Sequence, residues 1–488
     1  MKSSAKLLSA LTVLVLLVSA CAPAAVPTPQ TIEVTRVVEV PKIVEATKVV
    51  ETTKIVEVTP VPVKEVIVRT TNAAMANDPV QLARQKYLIE TFRALQPSII
   101  IDSSPYQYEA QTFAARLAAG TLEDTFLTAF TEPQKLIQNK QVADITDLIK
   151  DLPFVKDYKP EFLNLAKDKD GKVYGLPVYA NVLGLMYRRD VFEKAGLDAN
   201  KPPQTWDELK GYCKTLKEKL PEIACFAIRN PGDLAGWMSF AMQASFGQDA
   251  NEVEKDGKWT ATFNNASMVK AMTLWKELYD AGYMPSSLSW GNIEQVQDFS
   301  VAKVAMTIAD GGTLQWMVNN MGSFDGVEKF DLKDVGLGRL PDGGGNGSLG
   351  GGNVWLYNAK STPDALKGAV AWNAWRDFDL AAYEQDLKIR QDAGALIGYP
   401  EVQIFGGDYG KQRSAILAKY SNAPTENYEN YNASPVNVMA EPPLEAGKMK
   451  VALGEVLQKI LTTPNADVQA ILDQAVKTFQ TTVLDAQK

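Results

Sequence analysis

The spacing of apolar residues predicts alternating strands and helices from about residue 64 onward. Residues 65–70 (EVIVRT) favour a strand, and apolar side chains recur at helical spacing over residues 79–95. Further apolar runs predict strands at 98–101 and 125–129, with a helix at 108–119 between them. This β-α-β-α-β order is typical of an α/β lobe with a mostly parallel sheet.

A second succession of the same kind follows farther along the chain. A strand is predicted at 223–228, an apolar helix at 237–246 and another strand within 299–308. The amphipathic helix predicted at 266–281 carries a stripe of Met and Trp, which indicates core packing rather than a cofactor site. These elements predict a second α/β lobe.

Residues 170–209 lie between the two successions. Two short β-rich runs, 172–176 and 182–187, flank residues 177–181, and a helix beginning after Thr205 follows. Thr205 and Glu208 have the spacing of a capping box. This order suggests a strand that leaves one lobe and enters the other, although an ordinary strand–helix unit within one domain gives the same pattern.

The polar residues expected near a ligand in the first lobe follow its first and third strands, because ligands bind at the carboxyl ends of strands in open α/β sheets. They are Asn72 after the first strand, and Thr131 and Glu132 after the third. Solvated loops with no ligand are the alternative. The Gly-rich residues 342–352 lack the spacing of a phosphate-binding loop and indicate a flexible loop or one that another chain segment approaches closely.

The N-terminus has the pattern of an export signal. Two lysines precede a short apolar run and small residues, which predicts a signal peptide over residues 1–20. The sequence VSAC ending at Cys21 resembles a bacterial lipobox, in which the cysteine is lipidated; a plain signal peptide is the alternative. Residues 21–63 contain a repeated six-residue unit (TRVVEV, PKIVEA, TKVVET) without aromatics, which predicts a tether rather than a domain. A strand that binds the cell wall or a partner is the other interpretation.

The amino-acid composition excludes several classes of partner and of catalytic or metal site. The net charge of −8 argues against a nucleic-acid partner, and the absence of histidine excludes His-based acid–base catalysis and His-ligated zinc. Carboxylate pairs and oxygen-ligated metals stay possible, but no motif marks either, so no cofactor or metal is predicted. Cys213 and Cys225 form a disulfide or remain two buried thiols; the sequence does not decide between them.

Five stretches in order resemble the bacterial extracellular solute-binding proteins of the sugar-binding, maltose-binding-protein-like type. They are DGKVYGLPVYANVLGLMYRRDVFEKAGL with PPQTWDEL, FNNASMVKAMTLWKELYDAGYMP, FSVAKVAMTIADGG, GGNVWLYNAKSTPDALKGAVAWNAW and MKVALGEVLQKILTTPNADVQAILDQAV. The third departs from the family's pattern, because Val301 and Ala302 replace the glycine that usually precedes the lysine. The resemblance covers about residues 64–488.

The resemblance implies an α/β, two-lobe periplasmic-binding-protein-like (type II) fold with hinge crossovers near Asn181, Pro341 and Tyr409. Lobe one is then residues 64–181 plus 342–409, and lobe two is 182–341 plus 410–488. A ligand lies in the cleft between them and is trapped when the hinge closes. Family positions that contact ligand match Asn181, Asn230, Asp233, Trp237, Gly311, Trp316, Gly351, Gly352 and Asn353. Trp237 is equally well interpreted as a core residue, and the spacing before Trp316 differs from the family's.

The function implied is that of a substrate-binding lipoprotein. It captures a mono- or oligosaccharide and delivers it to the permease subunits of an ABC importer, as a monomer held by a lipid anchor on the outer face of the cytoplasmic membrane. An exported carbohydrate-active hydrolase and a surface adhesion module are the alternatives. No pair of carboxylates marks the first, and the six-residue repeat is the main support for the second.

Overall fold

The computed structural model describes residues 64–74, 79–230, 232–319, 330–433 and 437–486. The predicted signal peptide, the lipidation of Cys21 and the tether over 21–63 fall outside these residues.

The strands are β1 Val66–Thr70, β2 Ile99–Ser103, β3 Thr125–Ala129, β4 Gly175–Val182, β5 Gly184–Arg188, β6 Ala224–Ala227, β7 Glu252–Lys255, β8 Lys258–Ala261, β9 Val304–Ala309, β10 Val335–Arg339, β11 Gly347–Tyr357 and β12 Asn437–Met439. The helices are α1 Pro79–Leu95, α2 Ala110–Ala119, α3 Pro133–Gln138, α4 Thr146–Ile149, α5 Pro160–Leu163, α6 Arg189–Ala195, α7 Trp206–Lys219, α8 Asp233–Phe246, α9 Ala266–Asp280, α10 Asn292–Ser300, α11 Gly311–Asn319, α12 Pro363–Phe378, α13 Leu380–Asp392, α14 Gly407–Tyr420, α15 Glu429–Ala433, α16 Ala446–Thr462 and α17 Val468–Phe479.

The first sheet has the strand order β12-β11-β3-β1-β2, and β4 pairs with residues 350–356 of β11, along the edge opposite β3. β1 runs parallel to β2 and β3, as the β-α-β-α-β pattern predicts, whereas β11 is antiparallel to β3 and β4. Its core contains Val68, Phe92, Trp355, Tyr357 and Trp372, all almost fully buried. Helices α1 and α12, which lie far apart in the sequence, therefore pack on the same sheet.

The second sheet has the order β10-β5-β9-β6, and β6 is parallel to β9. The Met and Trp stripe of α9 packs into its core, where Met268, Met272 and Trp275 are fully buried. The prediction that this stripe is core rather than a cofactor site is confirmed.

The chain changes sheets within the 170–209 stretch. β4 belongs to the first sheet and β5 to the second, and Leu183 alone separates them. Residues 340–346 then carry the chain back from β10 to β11. The strand that the sequence suggested as a passage between two lobes therefore joins two different sheets.

A third passage, from the core of the first sheet to that of the second, lies beyond Tyr409. The Tyr409 hydroxyl donates to the Phe378 carbonyl over 2.7 Å, and its ring packs against Phe405, so the start of α14 belongs with the first sheet. Tyr428, by contrast, is buried in a core with Met186 of the second sheet. The chain crosses between these points, after α14, whereas the family resemblance placed the crossover near Tyr409.

Two predicted connections are strands in the structure. Residues 177–181, expected between two strands, lie inside β4, and Gly347 to Gly352 of the Gly-rich stretch lie inside β11. Gly350, Gly351 and Gly352 pair with β4, and a Cβ on Gly351 would come within 2.9 Å of the Asn181 Oδ1 atom. Glycine therefore allows the two strands to approach closely here. Without apolar periodicity, the same glycines predict a loop.

Helix α7 is fixed at its N-terminus by a capping hydrogen bond and is joined to β6 of the second sheet by a disulfide. The Thr205 hydroxyl accepts from the backbone N–H of Glu208 over 3.1 Å, as predicted. The Glu208 carboxylate accepts from the backbone N–H of Gln204, one position before the Thr205 N–H that a capping box would use. Cys213 on α7 and Cys225 on β6 form a disulfide, with Cα atoms 5.1 Å apart. The helix is thereby tied to the strand that follows it.

Candidate functional site

A cavity of about 610 Å³ lies between the two sheets. Its walls come from β4 of the first sheet, from the residues that follow β6 and β9 of the second, and from helices α8, α10 and α11. Tyr399, between α13 and α14, completes the wall. Its lining residues are Tyr179, Asn181, Arg229, Trp237, Asn292, Gln295, Asp310, Gly312, Thr313, Gln315, Trp316 and Tyr399. β6 and β9 are adjacent and parallel, so their carboxyl ends open at the place where ligands bind in such sheets.

Asp310 is held at the start of α11. It follows the last residue of β9, and its Oδ1 atom accepts from the Thr313 amide over 2.8 Å and from the Thr313 hydroxyl over 2.6 Å. These are the bonds of a helix N-cap, which orients the carboxylate. The Asn181 amide donates to the other oxygen, Oδ2. Asp310 therefore links a residue of the first sheet to the second sheet.

Arg229 is a buried cation on the same wall. Its guanidinium lies over the Trp237 ring, 4.9 Å from the ring centre, and its Nη1 atom donates to the Asn292 amide oxygen over 3.1 Å. Burial lowers the pKa of Arg229 to about 10, and the negative charge of Asp310 acts in the opposite direction. The Nε and Nη2 atoms are buried and have no acceptor among the described residues.

Tyr179 and Asn181 project from the first sheet. The Tyr179 hydroxyl is buried and has no hydrogen-bond partner within the described parts of the chain. Burial, followed by the nearby charge of Asp310, raises the pKa of this hydroxyl, so it stays protonated. A Cβ on Gly312 would come within 2.6 Å of the Tyr179 oxygen, which explains why a glycine faces it.

Aromatic rings supply the apolar part of the cavity. Trp237 on α8 is partly buried against the second core, whereas Trp316 on α11 is 39% exposed. Tyr399, from the segment between α13 and α14, adds a third ring. Polar groups with fixed partners beside exposed ring faces suit a ligand that has both hydroxyls and apolar C–H surfaces.

The structure brings three of the predicted site residues together on the cavity wall: Asn181, Trp237 and Trp316. Gly311 packs against Pro400 instead, and Gly312 takes its place on the wall.

Asn230 and Asp233 do not line the cavity. The backbone N–H of Asn230 donates to the Trp290 carbonyl over 3.0 Å, and the residue is buried. Asp233 is exposed as the first residue of α8, where a carboxylate complements the helix dipole.

Gly351, Gly352 and Asn353 lie on β11 next to β4, opposite Asn181, Ala180 and Tyr179 in the strand register. They support the residues of the wall rather than forming it. The Asn353 side chain donates to the Thr128 carbonyl over 3.4 Å, which ties it to β3.

Asn72, Thr131 and Glu132 also lie away from the cavity. Asn72 has a left-handed backbone with φ of 62°, and its backbone N–H donates to the Tyr106 carbonyl. The Glu132 carboxylate accepts from the Tyr108 hydroxyl over 2.6 Å. The rule about carboxyl ends of strands is sound, but the cavity uses the strands of the second sheet.

That rule also identifies what sequence reasoning missed. Arg229 directly follows the predicted strand 223–228, and Asp310 comes two positions after the strand predicted within 299–308, so the same argument applied to the second lobe finds both. No sequence signal marks Tyr179, because it lies inside β4 and not in a loop after a strand. Its place on the cavity wall depends on how the two sheets are arranged. Within the described ranges, no cluster of acidic or sulfur ligands suited to a metal ion is found.

Comparisons with known proteins agree with this architecture. The family model described as bacterial extracellular solute-binding protein matches residues 81–375. A putative binding protein of Brucella abortus (strain 2308) is 25% identical over 288 residues, which cover 57% of this chain and 65% of that protein. The match thus spans less than two thirds of the relative's length.

Solved structures share the fold across most of the chain. The cyclic α-maltosyl-1,6-maltose binding protein of Arthrobacter globiformis has a TM-score of 0.62 at 19% identity, covering 86% of this chain and 98% of its own. UgpB of Mycobacterium tuberculosis, in complex with glycerophosphocholine, has a TM-score of 0.64 at 17% identity, covering 87% and 100%. The two-sheet arrangement is that of type II periplasmic binding proteins.

Proposed function

The chain belongs to the bacterial extracellular solute-binding proteins, and we propose that it captures a carbohydrate in the cavity between its two sheets. It then delivers this ligand to the permease subunits of an ABC importer. The family consists of solute-binding proteins, which argues against both the hydrolase and the adhesion alternative.

The observation that carries the proposal is the make-up of the cavity wall. Trp237 and Trp316 offer ring faces, and Asn181, Asn292 and Gln295 offer amides beside them. Rings cover the C–H faces of a sugar while amides and carboxylates orient its hydroxyls. The volume of about 610 Å³ lies within the range of small-molecule sites, roughly 300–1,000 Å³.

The ligands of similar proteins support the ligand class. One binds a cyclic maltosyl-maltose, another is described in complex with glycerophosphocholine, and a relative from Escherichia coli (strain K12) is an sn-glycerol-3-phosphate-binding periplasmic protein. Each of these ligands carries two or more hydroxyl groups.

The two sheets with their helices act as two lobes in this proposal. Lobe one is residues 64–182 with 347–420, and lobe two is 184–339 with 425–486; Leu183, residues 340–346 and residues 421–424 join them. β12, within the second of these ranges, pairs with the first three residues of β11, so the two lobes also share a short parallel strand pair. Relative movement about these three connections opens and closes the cavity, and ligand contacts on both walls favour the closed arrangement.

Cys21 and residues 21–63 complete the proposal as lipid anchor and tether. A receptor of this family works outside the cytoplasm, and an anchored monomer stays near its permease. Among the described helices, none is long and apolar enough to cross a membrane.

A thermal-shift screen tests the proposed function. A panel of neutral and acidic mono- and disaccharides, with polyols and amino acids as other classes, is added to the full chain, and the melting temperature is measured. A ligand that binds only the folded chain at 100 times its Kd stabilises it by about 2.7 kcal/mol. We expect at least one saccharide to raise the melting temperature, and a shift with amino acids alone would contradict the proposal.

A further inference from the structure

The hydrogen bonding of Arg229 is incomplete in a specific way. The side chain is 8% exposed, and of its three nitrogens only Nη1 has a described acceptor, the Asn292 amide oxygen. No carboxylate of the described chain lies within 4.0 Å of the guanidinium, unlike the ion-paired Arg188 on β5. An unpaired buried cation is costly, so something outside these contacts compensates it.

The two unpaired atoms form one edge of the guanidinium. The Nε–H and one Nη2–H bond of an arginine point side by side, and this fork matches two oxygens of a carboxylate or phosphate. Asn292 on one side and the Trp237 ring over the face fix the plane of the group. The edge is thus oriented before any ligand arrives.

Asp310 does not supply the missing acceptors. Its oxygens already accept from Thr313 and from the Asn181 amide, which hold the carboxylate toward α11 and the first sheet. It lowers the cost of burying Arg229 through its charge alone. The wall therefore holds the Asp310 carboxylate, whose oxygens have hydrogen-bond partners, and the Arg229 guanidinium, whose Nε and Nη2 atoms have no acceptor among the described residues.

We infer that the ligand is a saccharide bearing an oxyanion, a carboxylate or a phosphate ester, that accepts from Nε and Nη2 of Arg229. This inference rests on the proposed function and adds the charge of the ligand to it. Both nitrogens are covered from solvent, so a local shift of the wall accompanies binding. The Tyr179 hydroxyl, also buried without a partner, is the next donor or acceptor available to the same ligand.

Asp310 distinguishes the two kinds of oxyanion. A sugar carboxylate carries one negative charge, whereas a phosphate monoester carries close to two at neutral pH and meets stronger repulsion from a nearby aspartate. The geometry of the fork accepts either group. We therefore expect carboxylates to bind more tightly than phosphates, and the experiment includes both.

The test uses matched sugars that differ only at C6. D-Glucose, D-glucuronate and D-glucose 6-phosphate form one set, and D-galactose with D-galacturonate forms another. Their disaccharides are included because the size of the ligand is open. Affinities for the full chain are measured by calorimetry for every compound that raises the melting temperature.

Three variants accompany the wild-type chain. Arg229→Gln removes the charge and the fork, Arg229→Lys keeps the charge without the fork, and Arg189→Gln is the control. Arg189 donates to the Ala199 carbonyl over 2.9 Å and lies outside the cavity wall. The melting temperature of each variant without ligand verifies that it folds.

We expect an acidic sugar to bind and its neutral counterpart to bind far more weakly. Arg229→Gln should weaken that affinity by at least about 30-fold, within the range for hydrogen bonds to a charged group. Arg229→Lys should recover only part of the loss, and Arg189→Gln should bind as the wild type does. Binding by the phosphate rather than the carboxylate also supports the inference and identifies the oxyanion.

Two results overturn it, and they differ from failure of the proposed function. If neutral sugars bind and acidic ones do not, the receptor function stands and the inference is wrong. If Arg229→Gln folds and keeps the affinity for an acidic sugar, the fork is not its site. If no saccharide binds at all, the proposed function fails and the inference falls with it.

Discussion

At the scale of single residues, the cavity wall is organised by side chains that hold one another. Asp310 caps α11 and accepts from Asn181 of the other sheet, so one carboxylate positions two elements. Arg229 is held by Asn292 and by the Trp237 ring. The aromatic rings and side-chain amides that line the cavity are the groups expected to contact a sugar.

Replacing Trp237 by alanine is expected to weaken saccharide binding by about 2 kcal/mol, some 30-fold in affinity, because a stacked ring is lost. Calorimetry on the saccharide identified by thermal shift measures this. Trp259→Ala is the control, since Trp259 lies on β8, outside the cavity wall. A melting temperature that collapses in Trp237→Ala would instead show that the ring's main role is in the core.

Glu401 gives a pH-dependent prediction. Burial raises its pKa, and the charges of Arg413 and Arg390 only partly oppose this. An acid whose pKa is higher in the folded chain costs stability above that pKa, where it is charged in both states. As the pH falls through the raised pKa toward 4.5, the folded chain takes up the proton first and regains stability.

Glu401→Gln is therefore expected to melt at a higher temperature than the wild type at pH 8, with a difference that narrows toward pH 4.5. Melting curves at several pH values measure it. Glu384→Gln is the control, because hydrogen bonds from Lys419 and Tyr420 lower the pKa of Glu384 and the sign is opposite. A difference for Glu401→Gln that does not vary with pH would contradict the burial argument.

At the scale of elements, the sequence predicts most helices and strands because their apolar periodicity is strong. α1 begins and ends where the spacing predicts, as does β3. The misassigned segments are the interior of β4 and the first half of β11, where residues 177–181 and six positions from Gly347 carry little periodicity. Pairing with neighbouring strands decides their structure, and such pairing is not visible in a local pattern.

The disulfide between α7 and β6 should contribute to the stability of the second sheet. Cys213 and Cys225 are 12 positions apart, and closing a loop of about this length is worth roughly 3 kcal/mol in the chain-entropy account. The Cys213→Ala/Cys225→Ala variant should thus have a lower free energy of unfolding, measured by urea denaturation. Added reductant should destabilise the wild type and leave this variant unchanged; equal stability of the two chains would contradict the prediction.

At the scale of the whole molecule, the order of family-like stretches predicts the two-sheet arrangement and two of the passages between sheets. A third passage lies after α14, because Tyr409 contacts Phe378 and Phe405 in the core of the first sheet. The cavity residues follow less well from sequence. Asn181, Trp237 and Trp316 come from family positions, but Arg229 and Asp310 are recognised once the parallel pairing of β6 and β9 is known.

The central claim is that one saccharide is held between residues of both sheets. Calorimetric titration of the full chain, alone and with Tyr179→Ala on the first sheet or Trp316→Ala on the second, tests it most directly. The account predicts one ligand per chain and a loss of affinity of about tenfold or more in each variant, with melting temperatures close to that of the wild type. Binding that neither substitution weakens would contradict the claim.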